Sequence, residues 1–190
     1  FRRVLFRSEA EEWIELANAL YWDDDGGYFF TATDAKDLIV RTKTATDSAV
    51  PSGNGAMVFA LARLFYLTGK QTYRMRAAST VEALGVEALK SFPHGSTLLN
   101  AFELLESAIQ VVVIGDRVSQ ETTALETAVR GVSLPNLVLD VVSDATALPD
   151  AHPARGKVRI NGTPTAYVCR GPACSPPQTT VEGLRHLLEA

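Results

Sequence analysis

Apolar residues recur every three to four positions through the first half of the chain, the spacing of helices that bury one face. This pattern predicts four helices, over residues 9–20, 54–68, 71–91 and 96–107. Ser52 is a good N-cap for the second helix, and Gly69 can end it in the left-handed conformation. Between the first two helices, short β-prone runs at 28–31 and 38–40 predict a small hairpin, preceded by an acidic turn ending in Gly26 and Gly27.

The predicted helices differ in how much of their surface is apolar. The 54–68 helix is apolar nearly all round, with Arg63 the main exception, so it must be buried on most sides. The two that follow have single apolar stripes, made of Tyr73, Ala77, Val81, Leu84 and Ala88 in one and of Leu98, Phe102 and Leu105 in the other. A buried helix followed by a one-faced helix is typical of two concentric helix layers, and this favours an α/α toroid.

The spacing of apolar residues changes near residue 108, from the helical pattern to short continuous apolar runs. Buried strands are predicted over 109–114, 137–142 and 165–169. A helix capped by Ser119 joins the first two, forming a βαβ unit with an expected right-handed crossover, and Thr180 caps a last helix. We therefore predict a mainly α fold with a small α/β part: a non-native leader over 1–8, a partial α/α toroid over 9–108 and a small α/β region over 109–190.

Composition narrows the class of protein. Of 190 residues, 46% are hydrophobic and 21% are charged, which is ordinary for a globular chain and argues against disorder. A net charge of −4 without a basic cluster gives no reason to expect nucleic acid. Neither a membrane span nor a secretory signal is visible, so a cytoplasmic location is expected.

The polar segment, which we define as Arg41 to Asn54, contains the best candidate site because it leads directly into the buried helix. Asp47 is the candidate general acid or base, and Lys43 is its catalytic partner. Arg41, Ser52 and Asn54, together with Trp22, are the candidate substrate-binding residues for a sugar or small polar ligand. The alternative is structural: Arg41 and Asp47 pair to hold the loop, and Ser52 only caps.

The cysteines leave three alternatives open. Cys169 and Cys174 have C-x4-C spacing, unlike the C-x-x-C of thioredoxins. They are a candidate redox or disulfide pair, or two ligands of a zinc site that His152 and His186 would have to complete, or a buried strand cysteine and a loop cysteine. We predict no metal and no cofactor.

Several motifs occur in an order that resembles the C-terminal portion of the spermatogenesis-associated protein 20 family. They are Gly27-Tyr-Phe-Phe-Thr31, Arg41-Thr-Lys43, Asp47-Ser-Ala-Val-Pro51-Ser52-Gly-Asn54, Leu67-Thr-Gly69, and Ala166-Tyr-Val-Cys169 with Cys174 and Pro176-Pro177. The resemblance implies a six-hairpin glycosidase-like toroid, similar to that of N-acylglucosamine 2-epimerases. It also implies an N-terminal thioredoxin-like domain and earlier barrel hairpins, which we expect to lie outside these 190 residues.

Two functions follow, and the residues leave open whether the protein is an enzyme. In the first, the chain is part of an epimerase-like or hydrolase-like protein that acts on carbohydrate or a small polar ligand. In the second, it is a non-catalytic scaffold that partners the thioredoxin-like domain and exchanges thiols through Cys169 and Cys174. Fold alone does not choose between them.

Overall fold

A computed structural model describes residues 2–36 and 38–189. The chain divides into two compact units: Phe1–Phe65 with Lys70–Glu106, and Tyr66–Gly69 with Ser107–Ala190. The helices are α1 (Arg2–Tyr21), α2 (Gly53–Thr68), α3 (Gln71–Lys90), α4 (Ser96–Ser107), α5 (Gln120–Arg130) and α6 (Val181–Glu189). The strands are β1 (Ile109–Ile114), β2 (Leu137–Val142), β3 (Thr165–Arg170) and β4 (Ala173–Cys174). This confirms a mainly α chain with a small α/β part, while the toroid and the handedness of the crossover stay predictions.

The helices of the first unit follow their apolar patterns closely. No residue of α2 from Met57 to Phe65 is exposed, as its all-round apolar surface predicts. In α3 the buried stripe contains Thr80 where Val81 was predicted, and the Thr80 hydroxyl donates to the carbonyl of Arg76, four residues back (2.9 Å). A polar residue enters the stripe because its own helix satisfies its hydroxyl.

Two helix predictions need correction. α1 begins at Arg2, earlier than the predicted start at residue 9, because the preceding residues contain neither Gly nor Pro to stop a helix. In α4, Phe102 is 43% exposed, although it was predicted to point inward. The buried positions are Leu98, Ala101, Leu104 and Leu105, a stripe that continues from Leu98 by three-residue steps and leaves Phe102 beside it.

The predicted hairpin over 28–31 and 38–40 is wrong. In the described part of this stretch there is no strand, only an isolated bridge between Trp22 and Tyr28. The Tyr28 N–H donates to the Asn54 side chain rather than to a partner strand, and the Phe30 N–H donates to the carbonyl of Thr42. The apolar run 38–40 is exposed, so β propensity had no partner strand or core to pack against.

The second unit is built on a four-stranded sheet of order β2-β1-β3-β4. β1 pairs in parallel with β2, and antiparallel with β3, which in turn pairs with β4. Every residue of β1 is buried, as expected for the central strand of a covered sheet. The predicted cap of α5 is confirmed, because the Thr122 N–H donates to the Ser119 hydroxyl (3.1 Å).

Each face of this sheet has its own core. On one face α5 and α6 pack against alternate strand residues, among them Val111, Val113 and Val168. On the other face the core contains Val112, Ile114, Tyr167 and Cys169, covered by residues such as Leu148 and Ala154 from the long connection between β2 and β3. This irregular connection therefore takes the place of a helix layer. None of the described helices combines the length and apolar character required to cross a membrane.

Candidate functional site

The polar segment has no helix or strand between Arg41 and Ser52, so its backbone groups must find partners elsewhere. Asn54, in the first turn of α2, supplies a partner for one of them, at Thr44, and for both backbone groups of Tyr28. The Tyr28 N–H donates to Asn54 Oδ1 (2.7 Å), and Asn54 Nδ2 donates to the carbonyls of Tyr28 (3.0 Å) and Thr44 (3.0 Å). Asn54 is only 3% exposed. Its amide therefore joins two irregular stretches inside the unit.

Asp47 is engaged at both carboxylate oxygens. Oδ1 accepts from the Ser52 N–H (2.8 Å), and Oδ2 accepts from the Thr97 N–H (2.9 Å) and the Ser96 hydroxyl (3.2 Å). Burial alone would raise the pKa of this carboxyl, but the hydrogen bonds from Thr97, Ser52 and Ser96 outweigh it and hold the pKa below its usual value. Asp47 is thus an ionised carboxylate that fastens the loop to the first turn of α4.

Lys43 lies against the acidic turn. Its Nζ contacts Asp23 Oδ2 (2.5 Å) and donates to the carbonyl of Gly26 (2.6 Å). The hydrogen bond from Lys43 is the largest of several influences that lower the pKa of Asp23. Gly26 and Gly27 both have positive φ, and a Cβ on Gly26 would lie 2.5 Å from the carbonyl oxygen of Ser79. The predicted turn at this acidic stretch is confirmed. Gly26 and Gly27 suit it because both have positive φ and pack closely against neighbouring atoms.

Arg41 does not pair with Asp47, so that part of the structural alternative is wrong. Its guanidinium donates to the carbonyls of Thr31 (2.7 Å) and Leu20 (3.0 Å) and stacks over the Phe29 ring, 4.1 Å from the centroid. A planar cation with five donors suits such a position, because it can bind two carbonyls while its face contacts an aromatic ring.

Ser52 caps α2 as predicted. Its hydroxyl accepts from the Gly55 N–H (3.1 Å), and the side chain is only 5% exposed. A Cβ on Gly55 would lie 2.7 Å from the Thr97 side chain, so the start of α2 runs close to α4 at this point. Ser52 therefore has a structural partner, and its hydroxyl is not open to a ligand.

Trp22 lies next to Tyr28, at the opposite end from Asp47 of the hydrogen-bonded network that these side chains form. Its ring meets that of Tyr28 edge-on, with centroids 5.1 Å apart, and the guanidinium of Arg76 lies over it at 4.9 Å. The Tyr28 hydroxyl donates to Asn18 Oδ1 (2.7 Å), and burial raises the pKa of Tyr28 to about 12. Among residues 2–36 and 38–189, buried Arg76 Nη1 has no hydrogen-bond partner. The same guanidinium lies near the Tyr28 hydroxyl, and its charge opposes the effect of burial on the pKa of Tyr28. A buried donor without a partner is uncommon in folded proteins.

Sequence reasoning missed Arg76 and also Glu87. One carboxylate oxygen of Glu87 accepts from the Ala45 N–H (3.2 Å) and from the hydroxyls of Thr44 and Thr46. Both residues belong to α3, where polar positions off the apolar stripe are normally solvated. No local pattern marks them, because the contacts join positions more than forty residues apart.

The cysteines form a disulfide in the second unit. Cys169 and Cys174 are opposite one another in the β3–β4 pairing, and their sulfurs are bonded. Gly171 has φ +58° and precedes Pro172, so the two-residue turn is of type II′. That turn fixes the register which brings the cysteines together. Cys169 is fully buried and Cys174 is half-buried, and a bonded pair cannot also bind zinc.

Comparisons with known proteins agree on one relationship. A human protein named spermatogenesis-associated protein 20 is 31% identical over 95% of the chain. Its namesakes in rat and mouse are 29% and 28% identical over the same share. The chain spans about a quarter of the length of these relatives. A scan against protein-family models finds no match.

Proposed function

Because this chain is related over nearly its whole length to spermatogenesis-associated protein 20, we propose that it serves that kind of protein as a redox-responsive region. In this proposal the Cys169–Cys174 disulfide exchanges with a thioredoxin-like dithiol. The observation that carries it is the disulfide itself, which joins opposed residues of two paired strands. The polar segment supports catalysis less well, because Asp47, Ser52 and Asn54 are already bonded within the chain.

The exchange needs two steps. A thiolate of the partner attacks Cys174 Sγ, the Cys169–Cys174 bond breaks, and Cys169 leaves as a thiolate that takes up a proton. The partner's second thiol then attacks the mixed disulfide and releases Cys174, so that the chain is reduced by two electrons and the partner is oxidised to its disulfide. Attack at Cys174 is favoured because this residue is only half-buried, whereas Cys169 is fully buried.

Trapping the mixed disulfide tests this proposal. The oxidised chain is incubated with a thioredoxin whose resolving cysteine is replaced by serine, and the product is analysed by peptide mass spectrometry. We expect one thioredoxin adduct per chain, attached at Cys174. A chain carrying Cys174→Ser is the control and should give no adduct at that position. An adduct at Cys169, no adduct, or aerobically purified chain without the disulfide would each contradict the proposal.

Reduction should also weaken the second unit. The bond closes a loop between residues five apart in sequence, and the chain-entropy relation gives about 2 kcal/mol of stabilisation for so short a loop. Denaturant unfolding with and without a dithiol reductant measures the difference, and the Cys169→Ser, Cys174→Ser double variant should show none. If the oxidised and reduced wild-type chains were equally stable, thiol exchange would not change the stability of the second unit, and this prediction would be wrong.

A small polar or sugar-like ligand remains a second candidate, and one observation favours it. Arg76 Nη1 is buried without a partner in the described residues, next to the aromatic face of Trp22. In this candidate the guanidinium moves from its place over the indole, and a hydroxyl or anionic oxygen of the ligand then satisfies the donor while the sugar packs on the indole. Such a ligand would lie at the Trp22 end of the network rather than at Asp47.

Calorimetry with a panel of monosaccharides tests this candidate. Arg76→Gln should abolish any binding, because it removes the open donor and the charge. Arg74→Gln, on the same helix, is the matched control. The Arg74 guanidinium pairs with Glu106 on α4, so this variant should bind sugars as the wild-type chain does. Binding that survives Arg76→Gln, or no binding of any sugar to the wild-type chain, would exclude this site.

A further inference from the structure

The second unit contains a cavity of about 440 Å³ that neither proposal above uses. It opens where β1 and β2 end, at Ile114 and just after Val142. Ligands of α/β sheets commonly bind outside the carboxyl ends of parallel strands, and these two strands are parallel. We name this cavity the carboxyl-edge pocket; its lining includes Ile114, Ser143, Asp144, Thr146, Lys157 and Arg159.

The floor of the pocket is apolar and its rim is polar. Ile114 and Ala145 are buried and belong to the core beneath the connection, whereas Ser143 and Thr146 are exposed hydroxyl residues. The volume falls within the range of small-molecule sites, which are usually an apolar concavity with a few orienting polar groups.

Positive charge predominates at the rim. Lys157 and Arg159 are two residues apart, and within residues 2–36 and 38–189 neither makes an ion pair. The only carboxylate in the lining, Asp144, accepts from the Thr146 N–H (2.7 Å) and so caps a short 3-10 turn. The hydrogen bonds from Thr146 and the charge of Arg159 lower the pKa of Asp144, so Arg159 and Asp144 partly offset each other. Lys157 leaves the pocket net positive, which attracts anions and opposes a metal ion.

The wall that carries these cations is tied down on either side. The Tyr167 hydroxyl, from β3, donates to the carbonyl of Val158 (2.7 Å), between the two cations. The Ile160 N–H donates to the hydroxyl of buried Thr165 (2.9 Å). Arg155 donates to the carbonyls of Thr146 and Leu148, joining the two arms of the connection. The pocket walls are thus held in place before a ligand arrives, which reduces the ordering cost of binding.

We infer that the carboxyl-edge pocket binds the phosphate group of a small phosphate ester, with Lys157 and Arg159 as its cationic ligands. Arginine supplies a planar fork of donors and lysine a mobile point charge, a combination that suits a tetrahedral oxyanion. The hydroxyls of Ser143 and Thr146 can donate to remaining oxygens. The apolar floor and the volume leave room for the organic part of the ester, which distinguishes it from free phosphate.

Calorimetry on the full chain tests this with three probes: ribose 5-phosphate, inorganic phosphate and ribose. We expect ribose 5-phosphate to bind most tightly and ribose not to bind. Lys157→Gln and Arg159→Gln should each weaken ribose 5-phosphate binding about tenfold, the loss of one charge-assisted hydrogen bond. Arg185→Gln, an exposed residue on α6 with the same change in charge, is the matched control and should bind as the wild-type chain does.

Three outcomes would overturn the inference. The first is that Arg185→Gln weakens ribose 5-phosphate binding as much as the pocket variants do, which would indicate a diffuse charge effect. The others are that inorganic phosphate binds as tightly as ribose 5-phosphate, or that ribose 5-phosphate does not bind. Lys157 and Arg159 are exposed, so their variants should fold normally, and circular dichroism checks this. The disulfide trap uses other residues, so either proposal can fail without the other.

Discussion

Replacing Asn54 by alanine should lower the free energy of unfolding of the first unit by about 3 kcal/mol or more. The amide of Asn54 accepts from the Tyr28 N–H and donates to the carbonyls of Tyr28 and Thr44. Alanine leaves these three backbone groups without their partner at a position that is 3% exposed. Buried polar groups without partners are costly because they have lost water and gained nothing in return.

Denaturant unfolding monitored by circular dichroism measures this change. Asn100→Ala is the matched control, since Asn100 is exposed on α4 and the same atoms are removed; it should change stability by less than about 0.5 kcal/mol. A small and equal effect of the two substitutions would mean that water replaces the Asn54 amide, and that this amide does not hold the two stretches together.

Asp47→Asn should destabilise the first unit by about 2 kcal/mol at pH 7 while keeping its shape. The carboxylate accepts from the Ser52 and Thr97 N–H groups and from the Ser96 hydroxyl, and hydrogen bonds to a charged acceptor are the stronger kind. Asparagine keeps one acceptor oxygen, but its NH2 group replaces the other and faces a group that is itself a donor. The candidate catalytic residue thus has a large expected effect without any catalysis.

The pH dependence separates this explanation from a simple loss of packing. Since the folded pKa of Asp47 is lowered below its unfolded value of about 3.9, its contribution is complete above that value and is lost as the pH falls through the folded pKa. The stability difference between wild type and Asp47→Asn should therefore be constant near neutrality and shrink below about pH 4. Asp25→Asn, the same substitution at an exposed acid, is the matched control and should change stability by less than about 0.5 kcal/mol. A difference that stays constant down to pH 2 would contradict the assigned role.

The elements that sequence predicts well are those whose signal is local. α2 is covered on most sides because it is apolar all round, and Ser52 and Ser119 cap their helices because a hydroxyl can reach an N–H three residues on. The hairpin over 28–31 and 38–40 was wrong for the complementary reason. Its β-prone residues had the right propensity, but whether a partner or a core lies beside them is a tertiary matter.

The candidate site illustrates the same division. The sequence predicts a functional site in the polar segment, and that stays a prediction, while the partners of its side chains could not be predicted. Lys43 bonds to Asp23, and Asp47 bonds to Thr97, fifty residues further along the chain. The sequence leaves the pairing of Cys169 and Cys174 open, because C-x4-C spacing does not show whether a turn lies between the two cysteines. The type II′ turn at Gly171 and Pro172 decides it.

The contacts of the polar segment also bear on the order of events in folding. They join Ala45 to Glu87 and Asp47 to Thr97, separations of 42 and 50 residues. Closing loops of that length costs chain entropy that a single hydrogen bond does not recover. We therefore expect the segment to acquire its conformation only after α3 and α4 have formed and docked, in the late, non-local part of the folding reaction.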